Sequence, residues 1–434
     1  MKKISMVALA FVFLLGATIA IAKDNGNGPN FLRPLKMQKS KVKHFEKKRI
    51  SDSDRERGDA LEQMIIKGTK PVKPAPPAVD PTAGGVTGYP GAPLPDGGKK
   101  YAVVVGLANY PGVSTSTTDA LLPDLCVLQV PESDLSAYAP DENGDFESLT
   151  DEIKFNCKDG DSVNMEKTLT EKYGFAKENV HRFSDSEATF TNIQGAVSEV
   201  MNNLTDKDEL VFFFSGHGAL SEDDGVDEGD NEIVDGGIVV YDEKYLADEY
   251  AKIGVPYYDS VTNETYPDYK TYYDTVGYDD SAYIWDGTLR DWFKDPRTKR
   301  MFFAFDTCNA EEMDDLEEEE IPTTDGIGRV LAFSSGRYES SYTYYLGGAD
   351  NSGNIHDSEG LFSHYFVLRA MYDGLADGSN PLKKTSVNPP KKDGKVAVEE
   401  AFSYAYPLVR AASSYRQTPV LEDAFTNDLL LSNL

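Results

Sequence analysis

The sequence predicts an α/β fold built on a mostly parallel sheet with helices on both faces. Three observations carry this. Short apolar runs rich in β-branched and aromatic residues recur, among them Tyr101-Ala102-Val103-Val104-Val105, Leu210-Val211-Phe212-Phe213-Phe214, Met301-Phe302-Phe303-Ala304-Phe305 and Val330-Leu331-Ala332-Phe333. Such runs are too continuously apolar to face water on one side, as strands covered on both faces require. Segments with helical spacing alternate with them, the pattern of a layered α/β domain. Two of the runs end on residues that carry chemistry, and open α/β sheets place ligand crevices at the carboxyl ends of their strands.

The chain opens Met1-Lys2-Lys3, followed by an apolar run from Ile4 to Ala22 that ends Ala20-Ile21-Ala22. This reads as a secretory signal over residues 1–22, cut before Lys23 and directing the chain to the cell envelope or the medium. An uncleaved anchor is the alternative, because the run is nearly long enough to span a bilayer. Residues 23–98 form a basic segment with Arg33, Lys36, Lys39, Lys41, Lys43, Lys47, Lys48 and Arg49, then a Pro/Gly-rich linker from residue 69. A short helix is expected at about 57–67.

Residues 99–434 read as one domain. After the first strand comes a loop-rich segment to about Cys157. A helix is expected over 163–173, with Met165, Leu169 and Tyr173 on one face. A strand at 180–183 follows, then a helix over 189–204 with Ile193, Val197, Val200 and Leu204 aligned. Beyond the run at 210–214, another strand is expected at 237–241, then a Tyr-rich polar insertion spanning about 242–283. A helix near 288–293 precedes the run at 301–305. Helices at 361–372 and 398–410 close the domain.

Net charge is −30 over 434 residues, which disfavours nucleic-acid backbones as partners and favours cationic partners or metal ions. Three cysteines remain for an exported chain. Cys126 and Cys157 lie in one segment and could pair, leaving Cys308 free.

The central motif is Ser215-Gly216-His217-Gly218, where a histidine sits between two glycines at a strand end. Glycine lets backbone N–H groups and a substrate approach the imidazole. A second strand delivers Asp306-Thr307-Cys308. A thiolate attacks a carbonyl when a base takes its proton and donors hold the oxyanion. His217 is the candidate base, Cys308 the nucleophile, and the N–H groups of Gly218 and Cys308 the oxyanion donors. Asp306, two residues before Cys308, shares its side of the strand and suits a cationic substrate group. Zinc ligation is the rival use of Cys and His, but the spacings match no zinc pattern. The loop Glu222–Glu232 alternates carboxylates with glycine, and Asp223, Asp224, Asp227 and Asp230 are candidate Ca2+ ligands; a solvated acidic loop is the alternative.

Taken together, the first strand with Gly106 and Tyr110, the segment 157–175, Phe213-Phe214-Ser215-Gly216-His217-Gly218, Phe305-Asp306-Thr307-Cys308, Val398-Glu399-Glu400-Ala401-Phe402 and Gln417-Thr418-Pro419 resemble the caspase/metacaspase cysteine peptidases, from about Lys100 to the C-terminus. The resemblance implies a three-layer α-β-α sandwich around a mainly parallel six-stranded sheet. It implies hydrolysis after Arg or Lys, with an acidic pocket made by Asp306 and a second aspartate. Asp161 fits that second position by its spacing to Met165 and Leu169, with Asp159 as the alternative. Calcium stimulation is implied too. The chain departs from the family where x-Ser-Gly is replaced by Asn309-Ala310-Glu311. Residues 311–327 lack Lys and Arg, so self-cutting is expected in the basic segment 33–57 instead.

The resulting expectation is an exported cysteine endopeptidase whose basic N-terminal segment lies in its own acidic cleft as an inhibitory propeptide. The rival readings are a catalytically weak Ca2+-dependent binding protein at the cell surface and a transpeptidase using the same Cys–His pair.

Overall fold

A computed structural model describes residues 43–45, 47–67, 93–107, 126–128, 158–222, 234–242, 257–259, 264–266, 282–294, 298, 300–316, 329–344, 355–356, 359–379, 392–425 and 428–431. The expected signal segment, Cys157 and the acidic loop 223–230 lie outside them. Among the described residues no helix is long and apolar enough to cross a membrane.

Two short strands, β1 (Lys43–Phe45) and β2 (Lys48–Arg49), lead into helix α1 (Asp52–Ile66). The next elements are β3 (Lys100–Gly106), β4 (Cys126–Leu128), β5 (Lys158–Asp159), α2 (Gly160–Lys172), β6 (Val180–Ser184), α3 (Phe190–Asn203) and β7 (Glu209–Ser215). Then follow β8 (Gly218–Glu222), β9 (Val234–Val239), the pair β10 (Tyr257–Asp259) and β11 (Glu264–Tyr266), β12 (Tyr283–Trp285), α4 (Asp286–Phe293) and β13 (Arg300–Asp306). The remainder comprises β14 (Arg329–Phe333), β15 (Tyr342–Tyr344), β16 (Ile355–His356), β17 (Glu359–Gly360), α5 (Leu361–Ser363) running into a π-helical stretch (His364–Tyr372), α6 (Val398–Ala412) and β18 (Val420–Asp423).

The main sheet has six strands in the order β18-β14-β13-β7-β3-β6. All its pairings are parallel except β14 with β18. Alternation along each strand divides the core in two. Ala102, Val104, Val211, Phe213, Phe302 and Ala304 pack with Met165, Leu169, Phe366 and Phe402 from α2, the π-helical stretch and α6. Val103, Val105, Phe212, Phe214, Phe303 and Phe305 pack on the other face with Ile193, Val197, Leu289 and Phe293 from α3 and α4. This is the three-layer α/β arrangement that continuous apolar runs demand.

Several boundaries differ from the sequence expectation, among them the start of α1 at Asp52 instead of residue 57 and that of β9 at Val234 instead of 237. Helix α2 begins at Gly160, not residue 163, which puts Asp161 in its first turn. Tyr283 is buried in β12 against β9, so the polar insertion ends before it. Alternating Tyr and polar residues had hidden that apolar edge. The helix from residue 361 turns π-helical after Ser363, which spacing alone does not reveal.

The described part of the basic N-terminal segment, residues 43–45 and 47–67, is built into the domain. Ser51 caps α1 by accepting from the Asp54 N–H at 3.2 Å. Leu61 and Ile65 pack on the α6 side of the core, and Ile50 is buried within it. Gly58 permits the close approach, since a Cβ there would meet the Tyr365 hydroxyl at 2.4 Å and Ala412 Cβ at 2.8 Å. Arg369 Nε and the Tyr404 hydroxyl both donate to Glu62, at 3.0 and 2.8 Å.

At the amino ends of the strands, Glu209 accepts from Arg300 Nε and Nη2 at 3.0 and 2.8 Å. Arg300 Nη2 also donates to the Leu430 carbonyl at 2.9 Å, and Lys100 Nζ donates to the Tyr173 and Leu431 carbonyls. Burial pushes the Glu209 carboxyl up to about 7, against the pull of Arg300 and Lys100. Removing one partner of a buried pair leaves a charge without compensation. Arg300→Met is therefore expected to lower stability by about 3–5 kcal/mol in urea unfolding at pH 8. A loss below about 1 kcal/mol would show that the cluster is not a clasp.

Candidate active site

Strands β7 and β13 run in parallel register, with Ser215 opposite Asp306. The Gly216 N–H donates to the Asp306 carbonyl at 3.2 Å. His217 and Cys308 thus both stand two residues beyond a paired position, at adjoining carboxyl ends. His217 is 7% exposed and Cys308 1%. Cys308 carries a reduced thiol. A Cβ on Gly218 would lie 2.2 Å from the Cys308 carbonyl oxygen and 2.9 Å from Thr307 Oγ1. Only glycine lets the His217–Gly218 backbone rest on the Cys308 peptide.

The sulfur is held by Ser341, whose N–H donates to Sγ at 3.2 Å. Ser341 Oγ in turn donates to Asp306 Oδ1 at 2.9 Å. The shared serine places nucleophile candidate and carboxylate on one side, as the i, i+2 spacing predicts. Gln417 fixes this loop: its Oε1 accepts from the Tyr342 N–H at 3.0 Å and its Nε2 donates to the Ser334 carbonyl at 2.9 Å and to Ser341 Oγ at 3.2 Å.

The departure after the cysteine finds a local explanation. Asn309 has φ of 55°, in the left-handed region that asparagine tolerates better than most side chains. Its N–H donates to the Glu339 carbonyl at 2.8 Å, and the Ala310 N–H to Ser335 Oγ at 3.1 Å. The Asn309-Ala310-Glu311 turn is therefore tied to the 334–339 loop.

Beside Cys308 lies a fully buried acidic pocket. Asp306 Oδ2 accepts from the Ser363 N–H at 2.9 Å and Oγ at 2.7 Å. Asp161 Oδ2 accepts from Ser215 Oγ at 2.6 Å, and the Gly360 N–H reaches Oδ1 and Oδ2 at 3.2 and 3.0 Å. A Cβ on Gly360 would lie 2.1 Å from Asp306 Oδ2 and 2.8 Å from Asp161 Oδ2, so glycine is what lets the two carboxylates converge. Asp161, one of the two sequence alternatives, lies in this pocket. Ser215, Ser341, Ser363 and Gly360 were missed. Ser215 was legible as the first residue of the histidine motif, whereas the other three come from a loop, the end of β17 and α5, distant in sequence and without a local signal.

The pocket holds a cation from the chain itself. Lys47 Nζ lies 2.9 Å from Asp306 Oδ1 and 3.0 Å from Ser215 Oγ, with its side chain 1% exposed. The strands on either side of Lys47 bracket the Cys308 region. β1 pairs antiparallel with β8, Phe45 opposite Gly218, and β2 pairs parallel with β15, Lys48 opposite Tyr342. The Ile50 N–H adds a bond to the Thr343 carbonyl at 3.3 Å.

Asp223, Asp224, Asp227 and Asp230 fall outside the described residues, as does Cys157, and with it the expected pairing to Cys126. Among the described residues no group of three or more His, Cys, Asp or Glu could hold a metal ion.

A family model described as metacaspase, peptidase C14 domain, matches residues 153–255, a stretch that contains Asp161 and His217. No curated protein matches the chain. Among solved structures, a Geobacter sulfurreducens protein is 15% identical with a TM-score of 0.37, over 76% of this chain and 95% of its own. Caspase-1 from Spodoptera frugiperda is 13% identical with a TM-score of 0.31, over 83% and 98% respectively. Overlaps this loose transfer no individual residue.

Burial pushes the Asp161 carboxyl up to about 7; Asp306 and Glu359 add to the rise, while Lys47 and Ser215 oppose it. The folded chain thus holds this proton more tightly than the unfolded chain does. Its contribution to stability is greatest at low pH and is lost as pH climbs from about 4 through 7. The grip on Lys47 runs the other way, since the Asp161 negative charge forms only as pH rises through about 7. Hydrogen exchange at the Ile50 amide, corrected for intrinsic rate, is expected to be slower relative to that rate at pH 8 than at pH 6. Asp161→Asn should remove the difference; the same pH trend in that variant would assign it to another group.

Proposed function

We propose that this caspase/metacaspase-like chain is a cysteine endopeptidase that cuts after a basic residue and is held inactive by its own N-terminal segment. The observation that carries the reading is Lys47, a buried cation on Asp306 in a pocket beside the thiol, flanked by strands that cover both neighbouring backbone edges. The family match supports a cysteine peptidase.

In the proposed reaction, His217 takes the Cys308 proton as the sulfur attacks the substrate carbonyl. The N–H groups of Gly218 and Cys308 hold the oxyanion that forms. Protonated His217 then gives its proton to the leaving amine, and water hydrolyses the thioester with His217 as base. The substrate's basic side chain takes the place of Lys47. The pairing of Phe45 with Gly218 supports inhibition, because β1 covers the edge where the oxyanion donor lies.

Activation in this reading needs Lys47 withdrawn, by a cut within the basic segment or by displacement. Residues 311–327 offer no Lys or Arg to a basic-specific enzyme. Export and stimulation by Ca2+ at Asp223, Asp224, Asp227 and Asp230 belong to the same proposal. They await a cell-fractionation assay and a Ca2+ titration of activity.

Hydrolysis of a lysyl reporter peptide is the test. Cys308→Ala should abolish it with the unfolding midpoint unchanged. Lys47→Ala should raise it by roughly tenfold or more, the factor expected when fewer than a tenth of molecules are competent before the change. Full activity in Cys308→Ala would reject the nucleophile, and unchanged activity in Lys47→Ala would reject the inhibitory role.

A further inference from the structure

The pocket around Lys47 is more selective than a generic acidic cleft. Asp306 Oδ2 already accepts two hydrogen bonds, both from Ser363. Asp161 Oδ2 also accepts two, from Ser215 and Gly360. Asp306 Oδ1 accepts one from Ser341, and its remaining direction meets the Lys47 ammonium. A carboxylate oxygen has about two lone-pair sites. Neither carboxylate therefore presents the two free oxygens that a guanidinium fork needs for a bidentate pair. Toward the Lys47 nitrogen the pocket presents one carboxylate direction, on Asp306 Oδ1, and one hydroxyl, Ser215 Oγ, at 2.9 and 3.0 Å, while Asp161 Oδ1 accepts the Gly360 N–H at 3.2 Å. That suits a tetrahedral ammonium.

Reach points the same way. Lys47 Nζ touches Asp306 and Ser215 directly, and Gly360 packs against the two carboxylates, where even a methyl would strike both. Arginine carries its terminal nitrogens one bond further from the backbone than lysine. It would have to displace Ser215 or open the Ser363–Asp306 bonds.

We propose that this pocket selects lysine over arginine at the residue before the cut, and that Ser215 determines the choice. The proposal rests on the reading that Lys47 occupies the substrate's place. Ser215 acts on both counts: it ties up Asp161 Oδ2, and its hydroxyl fills the space a guanidinium would need. Asp161 and Asp306 supply charge to either cation, whereas Ser215 supplies the discrimination.

Two readouts separate this inference from the peptidase reading. Calorimetry on the full chain carrying Lys47→Ala and Cys308→Ala uses paired peptides that differ only in Lys or Arg, and needs no catalysis. The lysyl peptide should bind at least roughly tenfold more tightly, the scale set by one mismatched group in a closed pocket. Adding Ser215→Gly should bring the two affinities within about threefold of each other, mainly by improving the arginyl peptide. Equal binding, tighter arginyl binding or no binding of either peptide overturns the proposal, as does an undiminished ratio in Ser215→Gly. Hydrolysis of the same peptides by the Lys47→Ala chain tests the peptidase. Lysine-selective binding without hydrolysis rejects the enzyme and leaves the pocket selectivity standing.

A conservative variant covers the case in which emptying the pocket unfolds the chain. Lys47→Arg keeps the charge, yet it should loosen the segment, with faster exchange at the Ile50 amide and a lower unfolding midpoint than the unsubstituted chain. Unchanged exchange and midpoint would mean that the pocket accepts a guanidinium and would overturn the selectivity.

Discussion

The register of β7 against β13 is the constraint on which the site depends. Seven residues of each strand pair in parallel, ending with Ser215 opposite Asp306. One slip of that register would turn every side chain to the other face. The apolar runs prevent it, because Phe212 and Phe214 must share one core with Phe303 and Phe305, while Phe213 must share the other with Phe302 and Ala304. The packing of phenylalanines deep in the sheet thereby decides that His217 and Cys308 emerge side by side. It also places Ser215 and Asp306, the two residues that meet Lys47, at the same level.

Electrostatics then accounts for what fills the pocket. Two carboxylates converging in a buried space repel each other and lose hydration, and burial is the main reason the Asp161 carboxyl titrates so high. A buried ammonium has the opposite problem. Lys47 and the two aspartates each relieve the other's desolvation, so the empty pocket is a costly state. In the proposed reading a basic substrate residue must therefore replace Lys47 rather than enter a waiting cavity. The anchor for this exchange is α1, which α6 and the π-helical stretch hold through contacts other than that of Lys47.

Much of this was legible in the sequence because it is written in runs. Strands buried on both faces advertise themselves by continuous apolarity, and helix α3 by Ile193, Val197 and Val200 at regular spacing. The Ser-Gly-His-Gly and Asp-Thr-Cys endings pointed to one site because the carboxyl ends of parallel strands share an edge. Asp306 was readable from its i, i+2 relation to Cys308. Charge complementarity pointed to the basic segment, although not to Lys47 among the eight Lys and Arg residues from Arg33 to Arg49. Ser341, Ser363, Gly360 and Gln417 were not readable, since each reaches the site from a loop, a helix or a short strand brought there only by tertiary packing. Their partners at the site lie 33 to 199 positions away in sequence. The integration of α1 was missed for a related reason: its polar sequence hides how few apolar residues, Leu61 and Ile65 beside Gly58, suffice to dock it.

The central claim is that Lys47 stands where a substrate's basic side chain binds. A structure of the chain labelled at Cys308 by a thiol-directed lysyl peptide inhibitor tests it most directly. The account predicts a covalent bond to Sγ, the inhibitor's ammonium on Asp306 Oδ1 and Ser215 Oγ, and residues 43–50 displaced from β8 and β15. A labelled thiol with Lys47 still on Asp306 would contradict it.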